Sequence, residues 1–308
     1  MKIIRSIQLV DSLLFIVVLI WASNFTVVKF ALREIPPMGF NTLRFIGSSV
    51  IFALYYHFYI RDYSFVKTYF VQLVLLALIG NTLMQITFIH GMNSTTAGNA
   101  SLMYSTVPLF IALLSVGLKY EKVKNITWLG IAISFFGIVL IVSSGKDGFS
   151  LSHSTIRGDV LMLVTSFCWS AYTVLARPLI QKSSMMKVLS LTFIFGTIML
   201  IPFGIPDFLR MDWSGISLKS WQELVYSFLF ANVIAYIIWF YAVSKIGNVQ
   251  TAILQNLIPV LAVIIAAVFL KETITLTQLI GGIGIIGGVT ITRLTMFLNS
   301  NTKNGEKQ

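Results

Sequence analysis

Apolar residues in this chain neither alternate nor keep to one helical face. They run on in long stretches, broken by short polar joints, over roughly 9–30, 39–60, 68–90, 97–118, 126–144, 158–180, 188–206, 221–242, 249–270 and 277–297. Each run is close to the roughly 20 residues that an α-helix needs to cross a bilayer core. Such runs cannot leave backbone groups unpaired in hydrocarbon, so they predict helices rather than open strands. The longest joints are 145–157, with Gly145, Gly148 and several serines, and 207–220, with Asp207, Asp212 and Gly215. The polar tail 298–308 reads as disordered. The first run is too long for a cleaved leader and is followed by more of its kind.

The pattern also repeats. Residues 81–141 shifted by 151 fall on 232–292, bringing Asn81 onto Asn232, Pro108 onto Pro259, Glu121 onto Glu272, Gly130 onto Gly281 and Gly137 onto Gly288. A shift of 148 brings Trp21 onto Trp169. These identities are Asn, Pro, Glu, Gly and Trp, whereas chance matches in such a composition would mostly be Ile or Leu. Each half then holds five spans, and an odd number makes the second half enter the bilayer upside down. The expected architecture is an all-α integral membrane protein of ten transmembrane helices in two inverted five-helix repeats. Residues 1–8 form a cytoplasmic N-terminus, 9–144 the first repeat, 145–157 an outer loop, 158–297 the second repeat and 298–308 a cytoplasmic tail. Inverted repeats place a small-molecule site at the midplane, between the halves.

Composition sharpens this reading. Charged residues make up 11% of the chain and apolar ones 56%, with a mean hydropathy of +0.86. A soluble domain carries about 25% charged residues. The net charge of +11 therefore points to membrane topology and not to nucleic acid. With the N-terminus inside, fourteen Lys and Arg fall on the inner side and seven on the outer, with Arg44 left inside a span. Both termini are accordingly expected in the cytoplasm. The lone Cys168 excludes an intrachain disulfide and a cysteine metal cluster.

The residues now in view resemble the drug/metabolite transporter superfamily, in its EamA-type branch, across essentially the whole chain. Trp21-Ala22-Ser23-Asn24-Phe25, followed by Lys29, is similar to that family's opening motif, with Ala22 where Gly is commoner. Arg44-Phe45 resembles its Arg-Phe pair in span two, and Ala100-Ser101-Leu102 with Pro108 its fourth span. Glu121-x8-Gly130-x6-Gly137, repeated as Glu272-x8-Gly281-x6-Gly288, resembles the signature between spans four and five. The resemblance implies a multi-pass carrier of a bacterial plasma (inner) membrane that moves small metabolites, often exporting amino acids or their derivatives.

Several polar and aromatic residues recur at helical spacing, where they would face a cavity or one another because burying them in hydrocarbon is costly. Asn81 and Gln85 share a face of span three, and Asn232, Tyr236 and Trp239 share the matching face of span eight. Trp21 and Asn24 pair in span one as Trp169 and Tyr172 do in span six. Tyr104 falls on Gln255 under the shift, and the next position on Asn256. With Arg44, these thirteen residues are the candidate substrate-binding set. The structural alternative for each is an interhelical hydrogen bond worth about 0.6 kcal/mol. For Arg44 two readings stand open: a guanidinium holding a substrate carboxylate or phosphate, or a side chain that snorkels outward or holds backbone carbonyls. The shifted position is Thr192, so both halves do not require the charge.

All eleven carboxylates fall in joints or near span ends. No buried acid relay is present, which favours facilitated diffusion or exchange over proton drive. His57, His90 and His153 are too scattered to bind a metal. The string from Gly282 to Gly287 fits G-x-G-x-x-G, but it lies within an apolar span and lacks the strand that a dinucleotide fold requires. Gly281, Gly284 and Gly288 read instead as a close-packing face. Pro108 and Pro259 are expected to kink their spans. The expected protein is a carrier with no cofactor and no metal, its partners a small-molecule substrate and the lipid bilayer. A channel or lipid scramblase, and less so an intramembrane enzyme, are the alternatives.

Overall fold

The computed structural model describes residues 2–95, 97–143, 156–269 and 275–305, and among them every regular element is helical. We label the helical stretches α1 (Lys2–Ala31), α2 (Pro37–Ile60), α3 (Tyr63–Ser94), α4 (97–117), α5 (Asn125–Ser143), α6 (Ile156–Lys182), α7 (Met185–Arg210), α8 (Leu218–Ile246), α9 (248–269) and α10 (Leu276–Gly305). Eight helices among the described residues are long and apolar enough to cross a membrane, and Leu102–Gly117 is a shorter apolar one. The chain is therefore a multi-pass helical membrane protein. Two expectations change. The joint at 207–220 shrinks, because α7 continues through Pro202 and Pro206 to Arg210, and α10 continues to Gly305 where a disordered tail was expected. Most of the expected loop at 145–157, and Glu272 of the repeated signature, lie outside the described residues.

Local chemistry sets the helix ends. The Asp62 carboxylate accepts from the Phe65 N–H to start α3, and Ser184 and Ser217 cap α7 and α8 in the same way. Gly247, at φ 95°, separates α8 from α9; a side chain there would be strained and would also meet Glu121 Oε1 at 2.8 Å. The two proline spans break rather than bend. α4 consists of Ala97–Tyr104 and Val107–Gly117, with Pro108 in the first turn of the second piece, where its missing N–H costs little. α9 passes through a tight 3₁₀ turn at Ile253–Asn256 just before Pro259. α3 and α8 each contain a widened π turn, at Leu78–Leu83 and Ser227–Ile234, and these turns carry Asn81 and Asn232.

The two halves meet through contacts in which a residue touches its own shifted counterpart. Where α2 packs on α7, the Ser49 and Thr197 hydroxyls lie 2.6 Å apart. Ser49 donates to the Phe193 carbonyl at 2.8 Å and Thr197 to the Phe45 carbonyl at 3.2 Å, while the Phe45 and Phe193 rings stack 5.3 Å apart. Ser49 and Thr197 differ by 148 in number, as do Phe45 and Phe193. α5 packs on α10 in the same reciprocal way. A Cβ on Gly130 would come within 2.7 Å of the Gly288 carbonyl oxygen, and one on Gly137 within 2.6 Å of that of Gly281. Ser134 donates to the Ile285 carbonyl at 3.3 Å. Glycine is needed here because the backbones themselves touch.

Contacts also gather the joints into two ends. At one, Glu34 accepts from the Ser217 N–H and Thr95 donates to Asp159. The Ser217 bond, and the nearby Ser220 hydroxyl, hold the Glu34 carboxyl below the usual range. At the other end, Lys187 pairs with Asp62 and Arg177 with Glu121. These are called below the Glu34 end and the Glu121 end.

Candidate substrate site

A cavity opens in the half of the bundle toward the Glu34 end. Its wall comes from α1 (Trp21, Asn24, Val28), α2 (Arg44), α3 (Met84, Gln85, Phe88, Met92), α4 (Tyr104), α6 (Trp169), α8 (Ala231, Asn232, Tyr236) and α9 (Ile258). Both halves of the chain contribute. The cavity volume is about 70 Å³, whereas ligand pockets for metabolites occupy about 300–1,000 Å³, so a metabolite needs the wall to move.

The floor is aromatic. Trp21 and Trp169 meet edge to face at 5.7 Å, and Tyr236 lies 5.1 Å from Trp169. The Trp21 indole donates to the Ala231 carbonyl at 3.1 Å. Such rings supply broad apolar contact area with a polar handle.

Arg44 is the charge in this wall. It is 4% exposed, so the guanidinium does not snorkel. Its Nη2 donates to Asn41 Oδ1 at 2.8 Å and to Gln85 Oε1 at 2.7 Å, both side-chain oxygens and neither a backbone carbonyl, and its Nε has no partner. Among the described residues no carboxylate pairs with Arg44 or lines the cavity. A buried cation held only by neutral amides keeps much of its desolvation cost, and a ligand anion would remove it.

Of the thirteen residues expected at the site, Trp21, Asn24, Arg44, Gln85, Tyr104, Trp169, Asn232 and Tyr236 line this cavity. Five do not. Asn81 is buried against Gly196, Tyr172 hydrogen-bonds Thr192 at 2.8 Å, and Trp239 donates to Thr173 at 3.3 Å from behind the floor. Gln255 and Asn256 line a separate small cavity with Tyr104. The reason is common to most of them. Tyr172, Trp239 and Asn81 are the shifted counterparts of Asn24, Phe88 and Asn232, and all three are packed in the buried core. The expectation missed Val28, Met84, Phe88, Met92, Ala231 and Ile258, whose apolar side chains look like any lipid-facing residue in a span.

The EamA-like transporter family matches the chain twice, over residues 8–143 and 156–294. The chain belongs to the EamA-like transporter family. An uncharacterized transporter of Archaeoglobus fulgidus is 33% identical over 281 residues, covering 91% of this chain and 96% of the relative. A probable amino-acid metabolite efflux pump of Salmonella typhimurium is 28% identical over 290 residues, covering 90% and 92%. One solved crystal structure superimposes with a TM-score of 0.78 at 17% identity, over 94% of this chain and 98% of that one, which extends the likeness to the fold alone. Both regions matched by the family contribute residues to the wall of the cavity.

Proposed function

We propose that this EamA-like protein is a secondary carrier that moves a small carboxylate-bearing metabolite, an amino acid or a derivative of one, across the plasma membrane by alternating access. The observation that carries the reading is the pair of regions on either side of the Trp21–Trp169 contact: an open cavity toward the Glu34 end and its shifted counterpart, packed shut, toward the Glu121 end. Two inverted halves can exchange these roles by rocking about their shared contacts. The reciprocal bonds of Ser49 with Phe193 and of Thr197 with Phe45 support that geometry, as does the doubled family match. In this reading the ten helical stretches all span, both termini are cytoplasmic and the Glu34 end faces outward. The name of the Salmonella typhimurium relative supports the cargo class, and Arg44 supports the carboxylate. The cycle is binding and release, with no cofactor and no bond broken.

Counterflow in proteoliposomes, with a panel of amino acids, acylated amino acids and 2-oxo acids, tests this. Saturable uptake stimulated by internal substrate is expected. Flux that rises linearly with concentration and ignores internal substrate would indicate a channel and overturn the carrier reading.

A further inference from the structure

A second, smaller cavity adjoins the first and shares Tyr104 with it. It lies between the two broken helices, α4 and α9, and its wall includes Tyr104 and Gln255, Ser105 and Asn256, and Pro108 and Pro259. These are three pairs of counterparts under the shift of 151, so the cavity sits where the two halves face each other. Each proline denies the turn before it a backbone N–H, and it is at these breaks that Gln255 and Asn256 approach the cargo cavity.

Gln255 is 6% exposed and Asn256 2% exposed. Asn256 Oδ1 has no hydrogen-bond partner, and the Gln255 amide faces the Tyr104 hydroxyl without forming a well-aligned hydrogen bond through Oε1 or Nε2. Three polar atoms without a well-aligned partner in a cavity of about 20 Å³ are costly, because a buried donor or acceptor left unmade forfeits its hydration. The volume admits about one water-sized group, so it takes the tip of a ligand and not its body. The atoms available are a neutral donor and two neutral acceptors, which match a neutral amide group better than an ammonium ion; an ammonium would want a carboxylate, and among the described residues none lines either cavity.

Resting on the carrier reading above, we propose that the Gln255–Asn256 pocket is an amide subsite. Its ligand carries a carboxylate for Arg44 and an acylated nitrogen for Gln255 and Asn256, with an apolar or aromatic body against Trp21, Phe88 and Tyr104. The cargo class is therefore N-acyl amino acids in preference to free amino acids. A site built to hydrogen-bond a group discriminates strongly against an analogue lacking it, because its own polar atoms are then left unpaired.

The test is calorimetric titration of the purified full-length protein with three probes: N-acetyl-L-phenylalanine, L-phenylalanine and 3-phenylpropanoate. The acetylated compound should bind about tenfold or more tighter than either of the others. That gap should close in Gln255→Leu and Asn256→Leu, with Gln255→Met as a milder replacement if a leucine variant melts early. Equal binding of the acetylated compound and 3-phenylpropanoate to the wild type overturns the amide subsite and leaves the carrier reading standing. Tighter binding of L-phenylalanine than of its acetyl derivative does the same. A gap that persists in the variants shows the amide to be read elsewhere and also overturns it. Failure of all three probes to bind overturns the carboxylate site at Arg44 as well.

Discussion

The open cavity and its packed counterpart are built from the same template and differ in what fills them. Around the cavity stand Asn24, Val28, Arg44, Met84, Phe88, Met92 and Ala231. The counterparts of these seven are Tyr172, Ala176, Thr192, Ala235, Trp239, Val243 and Gly80, each of them fully or almost fully buried. On the packed side Tyr172 fills the space, bonded to Thr192 and seated directly on Gly80. On the open side Ala231 stands in the place of Gly80, and Asn24 in the place of that tyrosine. The partners of the two asparagines differ too. Asn232 donates to the Ser48 hydroxyl at 3.1 Å, whereas Asn81 faces Gly196, the counterpart of Ser48, and its amide atoms have no hydrogen-bond partner. Backbone contacts are thus shared between the halves while the polar chemistry is not. The proposed alternating access would need that combination: rocking requires like surfaces, and recognition of an asymmetric cargo requires unlike groups.

The largest expected effect comes from making the packed side resemble the open one. A Cβ on Gly80 would lie 2.2 Å from the Tyr172 ring. Overpacking costs about 1–3 kcal/mol and the lost Tyr172 hydrogen bond about 1 kcal/mol more. Gly80→Ala should expel Tyr172 and reduce turnover to background. In a Cys168→Ser background, an Ala176→Cys reporter, buried in the parent, should then label from the Glu121 side. Unchanged turnover together with unchanged labelling would mean that the packed region is ordinary core and not a closed pathway.

Next comes the charge that only one half carries. Arg44→Ala should raise the apparent substrate constant by about thirtyfold, from about 2 kcal/mol of lost charged hydrogen bonding, while membrane yield holds. Arg44→Lys should recover part of this, since a lysine lacks the planar fork that matches a carboxylate. A loss of folded protein, with an unchanged constant in what remains, would make Arg44 an anchor for Asn41 and Gln85.

A third variant addresses what keeps the packed side shut. Glu121 pairs with Arg177 and accepts from the Asn248 N–H at 2.6 Å and the Val249 N–H at 3.3 Å, tying the ends of α4, α6 and α9 together. Glu121→Gln keeps the size and loses the charge. At about 1.4 kcal/mol it should shift the balance between states about tenfold toward opening at this end, read by the same Ala176→Cys reporter. No change in labelling would assign Glu121 to helix capping alone.

Much of this was legible in the sequence. The apolar runs foreshadowed the helices, and Gly130, Gly137, Gly281 and Gly288 foreshadowed close-packing faces, because backbone contact demands glycine. Trp21, Trp169, Arg44 and Gln85 stood out because polar or amphipathic groups in hydrocarbon need a reason. The sequence could not say which of two matched faces is open, since the repeat presents Asn24 with Tyr172, and Phe88 with Trp239, on equal terms. Met84, Met92 and Ile258 were invisible because an apolar cavity wall and a lipid-facing surface obey the same pattern.

The smallest effect is expected where the two halves are tied at their rims. The α2–α7 pair is fastened at the Glu121 end by Lys187 and Asp62, 2.6 Å apart, and at the other end by Asp207, which accepts from the Gly39 N–H at 2.9 Å. Asp62 and Lys187 are part-exposed, so solvent screens them and their contribution is small. The Lys187 ammonium, with the Ser64 hydroxyl and the Phe65 N–H, holds the Asp62 carboxyl well below the usual carboxylate range. A depressed folded-state pKa stabilises the fold above the unfolded value, about 3.9, and that contribution fades as the pH falls further. Asp62→Asn should therefore lower the melting temperature slightly at pH 7, and the gap to wild type should narrow below about pH 4. Transport at pH 7 should stay within about twofold of wild type, because this pair lies at the rim and touches neither cavity. A gap that grew on acidification would be of the opposite sign and point to a different group. A loss of transport as large as that of Glu121→Gln would mean that the rims, and not the packed counterpart of the cavity, hold this end closed.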